Sequence, residues 1–306
     1  ITDDPEYLQC GVTKLLQRSK HVQITTVLLP HDPCRSRFDP FANRIEQRVK
    51  ELGQDFVGRD WLANDVLQEF KATETETETA TTTTTKKNKF LLLFGGPGTG
   101  KSSFFARLLD ASFCQQKGGA WNSLHDRILA RHICRVQDDD TLDPLKWARS
   151  LAGQLFLAVS QAGHTEKALG IGGHQDRESL ADWLDKESSV RAILNEWVLP
   201  LLFSLNPDEL QSKCLIVIDS FDEALTQTVV GGGTSKETIV SYLLEFRTKW
   251  PSWLCFMATS RPDTTTKKAL LPLTGASIDV HDPRNLKDIR AFVLHGLERG
   301  FRLVGP

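Results

Sequence analysis

Phe90-Leu91-Leu92-Leu93-Phe94-Gly95-Gly96-Pro97-Gly98-Thr99-Gly100-Lys101-Ser102 decides how this chain is read. An apolar run the length of a buried strand passes straight into a glycine-rich turn, and helix-like spacing follows. That order is what a phosphate-binding loop requires. Glycines let backbone N–H groups turn inward around phosphate oxygens, and a helix N-terminus adds the positive end of its dipole. On this reading Gly95, Gly96, Pro97, Gly98, Thr99, Gly100, Lys101, Ser102 and Ser103 cradle a nucleotide. Lys101 reaches the β- and γ-phosphates, and the Ser102 hydroxyl holds Mg²⁺.

Two other strand ends carry matching chemistry. In Leu215-Ile216-Val217-Ile218-Asp219-Ser220-Phe221-Asp222-Glu223 an acid closes a buried strand, where ligands meet an open α/β sheet. Asp219 is expected to bind Mg²⁺ opposite Ser102, directly or through water. Asp222 or Glu223 is expected to orient and deprotonate the attacking water. In Ala258-Thr259-Ser260-Arg261-Pro262 a hydroxyl pair and a guanidinium are expected beside the γ-phosphate. Lys101, Asp222, Glu223 and Arg261 are thus the expected catalytic set, and Ser102 and Asp219 the metal pair.

Around these motifs apolar runs alternate with helix-length segments. Strands are expected at 90–94, 128–134, 214–218, 254–258 and 278–280. Helices are expected at 41–52, 61–70, 102–109, 144–159, 180–202, 238–250 and 285–297. Near-continuous apolar strands between helices predict a mostly parallel sheet of five strands covered on both faces. The segments 162–178 and 231–233 read as loops. Before residue 41, a short amphipathic piece (7–16) and a possible strand (21–29) lead into a proline-rich turn region. The Thr/Glu alternation and threonine run across 71–89 carry no apolar face, which predicts a disordered, solvated insertion.

Composition sets bounds. With 306 residues, 40% of them hydrophobic, a sizeable core is possible, and a net charge of −2 gives no electrostatic case for direct nucleic-acid or membrane binding. The apolar runs are far too short to span a bilayer. The six cysteines show no C-x-x-C pair or zinc-ligand spacing, so free buried thiols in a cytoplasmic protein are expected. Opening on Ile1 and ending on Gly305-Pro306, the chain reads as a piece of a longer polypeptide.

Taken in order, Phe56-Val57-Gly58-Arg59-Asp60, the glycine loop, Ala130-Arg131-His132-Ile133-Cys134, Ser150-Leu151-Ala152-Gly153-Gln154-Leu155, Asp219-Ser220-Phe221-Asp222-Glu223 and Thr259-Ser260-Arg261-Pro262 resemble the NACHT family of STAND-class signalling P-loop NTPases. Ser220 is the most discriminating position: NACHT domains place a tiny residue after the metal-binding Asp and shift the acids onward. AAA+ ATPases place an acid there. The resemblance implies a P-loop NTPase three-layer sandwich over 56–280, a flanking segment over 1–55, and the start of a small helical domain over 281–306. It implies that Val57, Gly58 and Arg59 help seat adenine and ribose, and that Arg261 acts as a sensor. ATP/ADP with Mg²⁺ would be the cofactors, with ATP preferred over GTP. Slow hydrolysis would control conformation and self-association through the core, while protein partners engage flanking modules outside this sequence. Asp60 departs from the Glu common in the family, and the chain stops before the winged-helix domain that supplies a His to bound ADP in related proteins. A remodelling ATPase of AAA+ type and a scaffold with a purely structural NTPase fold are the alternatives.

Overall fold

The computed structural model describes residues 35–53, 56–79, 90–161, 170, 173, 177–205, 214–225, 237–270, 276–279 and 282–303. Helices α1 (Arg35–Phe38) and α2 (Ala42–Gly53) precede α3 (Asp60–Thr79). Strand β1 (Phe90–Phe94) leads into α4 (Lys101–Leu109), α5 (Ala111–Lys117) and α6 (Gly119–His125), then β2 (Ile128–Ile133). Helices α7 (Pro144–Gln161), α8 (Arg177–Lys186), α9 (Val190–Ile193) and α10 (Leu199–Ser204) precede β3 (Cys214–Asp219). Next come α11 (Ile239–Glu245), β4 (Leu254–Ser260), α12 (Thr264–Leu270), β5 (Ala276–Asp279) and α13 (Pro283–Leu303).

The strands pair in the order β2-β3-β4-β1-β5, every pair parallel. Four strands, β2-β3-β4-β1, form the body of the sheet. The expected fifth, 278–280, is a short edge strand beside β1 that begins at Ala276.

Residue parity shows how the sheet is covered. Phe90, Leu92, Ile216, Ile218, Phe256 and Ala258 join one core with α7 to α11. Their alternates Leu91, Leu93, Leu215, Val217, Cys255 and Met257 join a second core with Leu62, Val66 and Phe70 of α3 and Phe104, Phe105 and Leu108 of α4. With period-2 side chains, two separate apolar cores mean helices on both faces. Phe90 lies flat on Phe256 of the neighbouring strand, centroids 4.5 Å apart. Such a pair adds about 0.5–1.5 kcal/mol beyond its burial.

The edge strand β2 is covered through its backbone. Gln154 of α7 accepts from the Arg131 N–H at 2.9 Å and donates to the Arg131 carbonyl at 3.0 Å. Ser150, one turn earlier, donates to the buried carboxylate of Asp39 at 3.1 Å. At Gly153 a Cβ would lie 2.0 Å from the Phe38 carbonyl, so only glycine lets α1 cross α7 this closely. The Ser150-to-Leu155 motif therefore has a packing role.

Three expectations change. The segment 71–79, read as part of a disordered insertion, continues α3 to Thr79, while 80–89 lie outside the described residues. Helix propagation explains it: beyond an anchored stretch, each added residue gains a hydrogen bond without a nucleation cost. The single helix expected over 180–202 is broken at Ser189, which caps Ala192 N–H at 3.2 Å, and again by a π turn over Leu194–Val198. Pro200 lies just past the π turn and, lacking an N–H, cannot make the regular helical bond one turn back. The helix expected over 238–250 ends at Glu245, with Thr238 and Ser241 forming a capping box at its start.

Cys114, Cys134, Cys214 and Cys255 are buried thiols that form no disulfide among the described residues. Burial pushes the Cys114 and Cys214 thiols up to about 12. The expected elements at 7–16 and 21–29 and the loop at 231–233 lie outside the described residues, as does most of the loop at 162–178.

Candidate functional site

The carboxyl ends of β1, β3 and β4 meet at one place. The Gly95 N–H extends the β1–β4 pairing by donating to the Ser260 carbonyl at 3.2 Å. The loop then turns through Gly98 at φ +74° and Gly100 at φ +84°. These are left-handed conformations that glycine adopts without a Cβ penalty. Gly100 caps α4 with no side-chain acceptor, so the first N–H groups of the nine-residue helix face outward past the loop. Lys101 Nζ donates to the carbonyls of Gly95 and Gly96 at 2.5 and 2.9 Å and reaches Thr99 Oγ1 at 3.5 Å. Burial holds its ammonium below the usual lysine range, partly offset by Asp222 and Asp219. Pro97 and Gly98 are exposed at the tip, and Ser103 is half-buried in the first turn of α4.

Behind the loop, Asp219 is 1% exposed. Ser102 Oγ donates to its Oδ1 at 3.2 Å, and Thr259 Oγ1 donates to the same oxygen at 2.6 Å. Burial pushes this carboxyl above the usual aspartate range, and the Thr259 and Ser102 hydroxyls pull it back. Ser220 follows at φ +55°, its N–H donating to Thr259 Oγ1 at 2.8 Å. A left-handed residue there disfavours bulky and β-branched side chains, a backbone reason for a small residue after Asp219. Ser102 and Asp219 together offer hard oxygen donors of the kind magnesium takes alongside phosphate oxygens.

Asp222, Glu223 and Arg261 form a second cluster. The Arg261 N–H donates to Asp222 Oδ1 at 3.2 Å, and its Nε lies 3.5 Å from Asp222 Oδ2. Its Nη2 lies 3.6 Å from Glu223 Oε1, while Glu223 Oε2 accepts from the Val136 N–H at 2.6 Å. Arg261 is the exposed member. The two hydroxyls expected beside a γ-phosphate are engaged by protein groups. Thr259 points at Asp219, and Ser260 donates to the Arg261 carbonyl at 3.1 Å. Strand parity explains Thr259: it follows Cys255 and Met257 on the face that α4 covers, as Asp219 follows Leu215 and Val217. The β3–β4 register ending at Ile218↔Ala258 brings the two side by side.

Val57 and Gly58 lead to Arg59, which is buried at φ +67°. Its Nη2 donates to the Thr99 carbonyl. A Cβ on Gly100 would lie 2.7 Å from that same nitrogen. The guanidinium thus lies against the glycine loop itself. On the other side, Asp288 of α13 accepts from the Arg59 N–H at 2.9 Å and from Trp61 Nε1 at 2.8 Å, and lies 3.9 Å from Arg59 Nε. At Gly58, φ +81°, a Cβ would fall 2.2 Å from Asp288 Oδ1. Arg284, one turn before Asp288, stacks over Trp61 at 4.4 Å and pairs with Asp65 at 2.7 Å. Asp60 accepts from Trp121 Nε1 at 2.7 Å, fixing the start of α3 to α6.

Residues 70–261 match the family model described as Nephrocystin 3, N-terminal. The chain belongs to the nephrocystin 3 N-terminal family. The nephrocystin 3 match runs from Phe70 of α3 to Arg261, and so takes in the glycine loop, Asp219 and the Asp222–Glu223–Arg261 cluster. It does not include Arg59 or α13. It is a match to a different family from NACHT. A search of curated proteins finds no match. Among the described residues no helix is long and apolar enough to cross a membrane, and no group of three His, Cys, Asp or Glu is placed to hold a metal alone.

Proposed function

We propose that this chain is a P-loop nucleoside-triphosphate switch of NACHT/STAND type, binding ATP/ADP with Mg²⁺ and hydrolysing slowly. The observation that carries the reading is the contact of Ser102 with buried Asp219 directly behind a glycine loop whose lysine is half-buried. Ser102 Oγ and Asp219 would hold Mg²⁺, which supplies charge neutralisation on the phosphates when bound. Lys101 exchanges the carbonyls of Gly95 and Gly96 for phosphate oxygens. The N–H groups at the start of α4 add fixed positive ends at no reorganisation cost.

Slow turnover follows from the second cluster. Asp222 and Glu223 are engaged by Arg261 and by the Val136 N–H, so either carboxylate must leave a partner before it can take a proton from water. Arg261, the exposed member of the cluster, would leave these carboxylates to reach a γ-phosphate, a contact that a diphosphate cannot make. Such differential contact is what a nucleotide-driven shift in conformation and self-association requires. Small Ser220 in a left-handed turn, in place of an acid, favours the switch over an AAA+ motor.

Single-turnover hydrolysis tests this. A rate below about one per second is expected, falling tenfold or more in Asp222→Asn or Glu223→Gln. Fast turnover that climbs with protein concentration would indicate a ring motor instead.

A further inference from the structure

We propose that Arg59 and Asp288 form a clasp through which phosphate in the glycine loop and the seat of α13 stabilise each other. The inference rests on reading residues 95–102 as a phosphate-binding loop. Four observations carry it. Arg59 is a non-glycine residue held at φ +67°, beside Gly58 at +81°, and strain of this kind persists where surrounding structure enforces it. Its side chain is 7% exposed. The guanidinium directs Nη2 to the Thr99 carbonyl of the loop and Nε toward Asp288 of α13. The third nitrogen, Nη1, is buried and has no hydrogen-bond partner among the described residues.

A planar guanidinium offers five donors in a fixed fork and keeps its charge when buried. Nη1 is closed to solvent, so the coupling runs through the loop itself: phosphate that orders the loop fixes the Thr99 carbonyl on which the guanidinium rests, and through Arg59 the contact with Asp288. Phosphate binding therefore tightens the Asp288 seat instead of competing for it. By linkage, seating α13 raises phosphate affinity by the same factor. The polar face of α13 is the docked one, with Asn285 buried and Asp288 mostly so, while Leu286, Ile289, Phe292, Val293, Leu294 and Leu297 are exposed. The seat thus depends on the clasp and on Arg284, and little on apolar burial.

The sign is diagnostic. If Asp288 acts only as a nearby negative charge, removing it strengthens binding of an anion. The clasp requires the opposite. The test measures ADP and MgATP affinity by calorimetry, and amide exchange over 283–297, in wild type, Asp288→Ala and Asp288→Asn. Asp288→Asn keeps the acceptor for Arg59 N–H and Trp61 while losing the charge, which guards against a folding artefact. Nucleotide is expected to slow exchange across α13 in wild type. Asp288→Ala should lose that slowing and bind about fivefold or more weakly, with Asp288→Asn intermediate. Binding with no change in α13 exchange, or tighter binding in both variants, overturns the clasp and leaves the phosphate loop standing. No nucleotide binding by wild type overturns both.

Discussion

The glycine loop has two walls, and they are built on opposite principles. On the sheet side, Asp219 sits on a strand end with Ser102 and Thr259 donating to it, and its neighbours arrive by strand register. On the helix side, Arg59 is held in a left-handed backbone, with one nitrogen unpartnered among the described residues and its anionic neighbour contributed from 229 positions away. The sheet wall is satisfied and preformed. The helix wall is strained and incomplete. On the proposed function, a site assembled this way would keep its metal and phosphate geometry fixed while its second wall answers to what occupies the loop.

The most disruptive way to break this contrast is Gly58→Ala. The added Cβ meets the Asp288 carboxylate in a backbone conformation that alanine resists. About 2 kcal/mol or more of local stability should be lost, confined to α13. Proteolysis within 283–303 should accelerate while the main thermal transition moves little; a large drop in that transition would mean the two walls are one unit.

Thr259→Val attacks the sheet wall. It keeps the shape and removes a donor to a buried carboxylate, costing about 1–3 kcal/mol. Its pH dependence has a defined sign. The Asp219 carboxyl is raised above its unfolded value by burial, so the folded state retains a proton that the unfolded state has lost, and stability falls as pH rises through that window. Losing the Thr259 hydrogen bond raises the folded value further. The destabilisation should therefore be largest at neutral pH and shrink toward pH 4, and Thr259→Ser should restore most of it. A pH-independent loss in denaturant melts would refute the assignment.

Gly153→Ala is a control outside both walls. Its Cβ would strike the Phe38 carbonyl, so about 1–3 kcal/mol of global stability should go, with nucleotide affinity unchanged at temperatures where the protein stays folded. Arg59→Lys should give the smallest effect on stability. An ammonium keeps the charge but cannot span loop and helix as a fork. Affinity should fall severalfold, and nucleotide should no longer slow exchange in α13.

What could be read from residues alone follows the same division. The glycine loop, Asp219 and Arg261 were legible because their chemistry is local: a strand, then the functional residue. Thr259 was placed at the site without its contact to Asp219, which counting parity along two strands from Met257 and Val217 would have found. Arg59 was singled out only through a family resemblance, which did not foresee its contact with the Thr99 carbonyl. Asp288 was invisible. Nothing in 283–303 marks the polar face of that helix as the docked one, and its apolar spacing argues for the reverse. The helical reach of 71–79 was missed because composition measures burial, and a helix extended from an anchored turn does not need burial.

The central claim is that the loop binds nucleotide through Lys101, Ser102 and Asp219. Calorimetric titration of ATP, ADP and GTP, with and without Mg²⁺, into wild type and Lys101→Ala tests it most directly. The account predicts binding of ATP and ADP by wild type, ATP affinity strengthened by Mg²⁺, and a loss of about tenfold to a hundredfold in Lys101→Ala, the worth of a charge-assisted bond to phosphate. Absence of binding by folded wild type, or equal affinity in the variant, would contradict it.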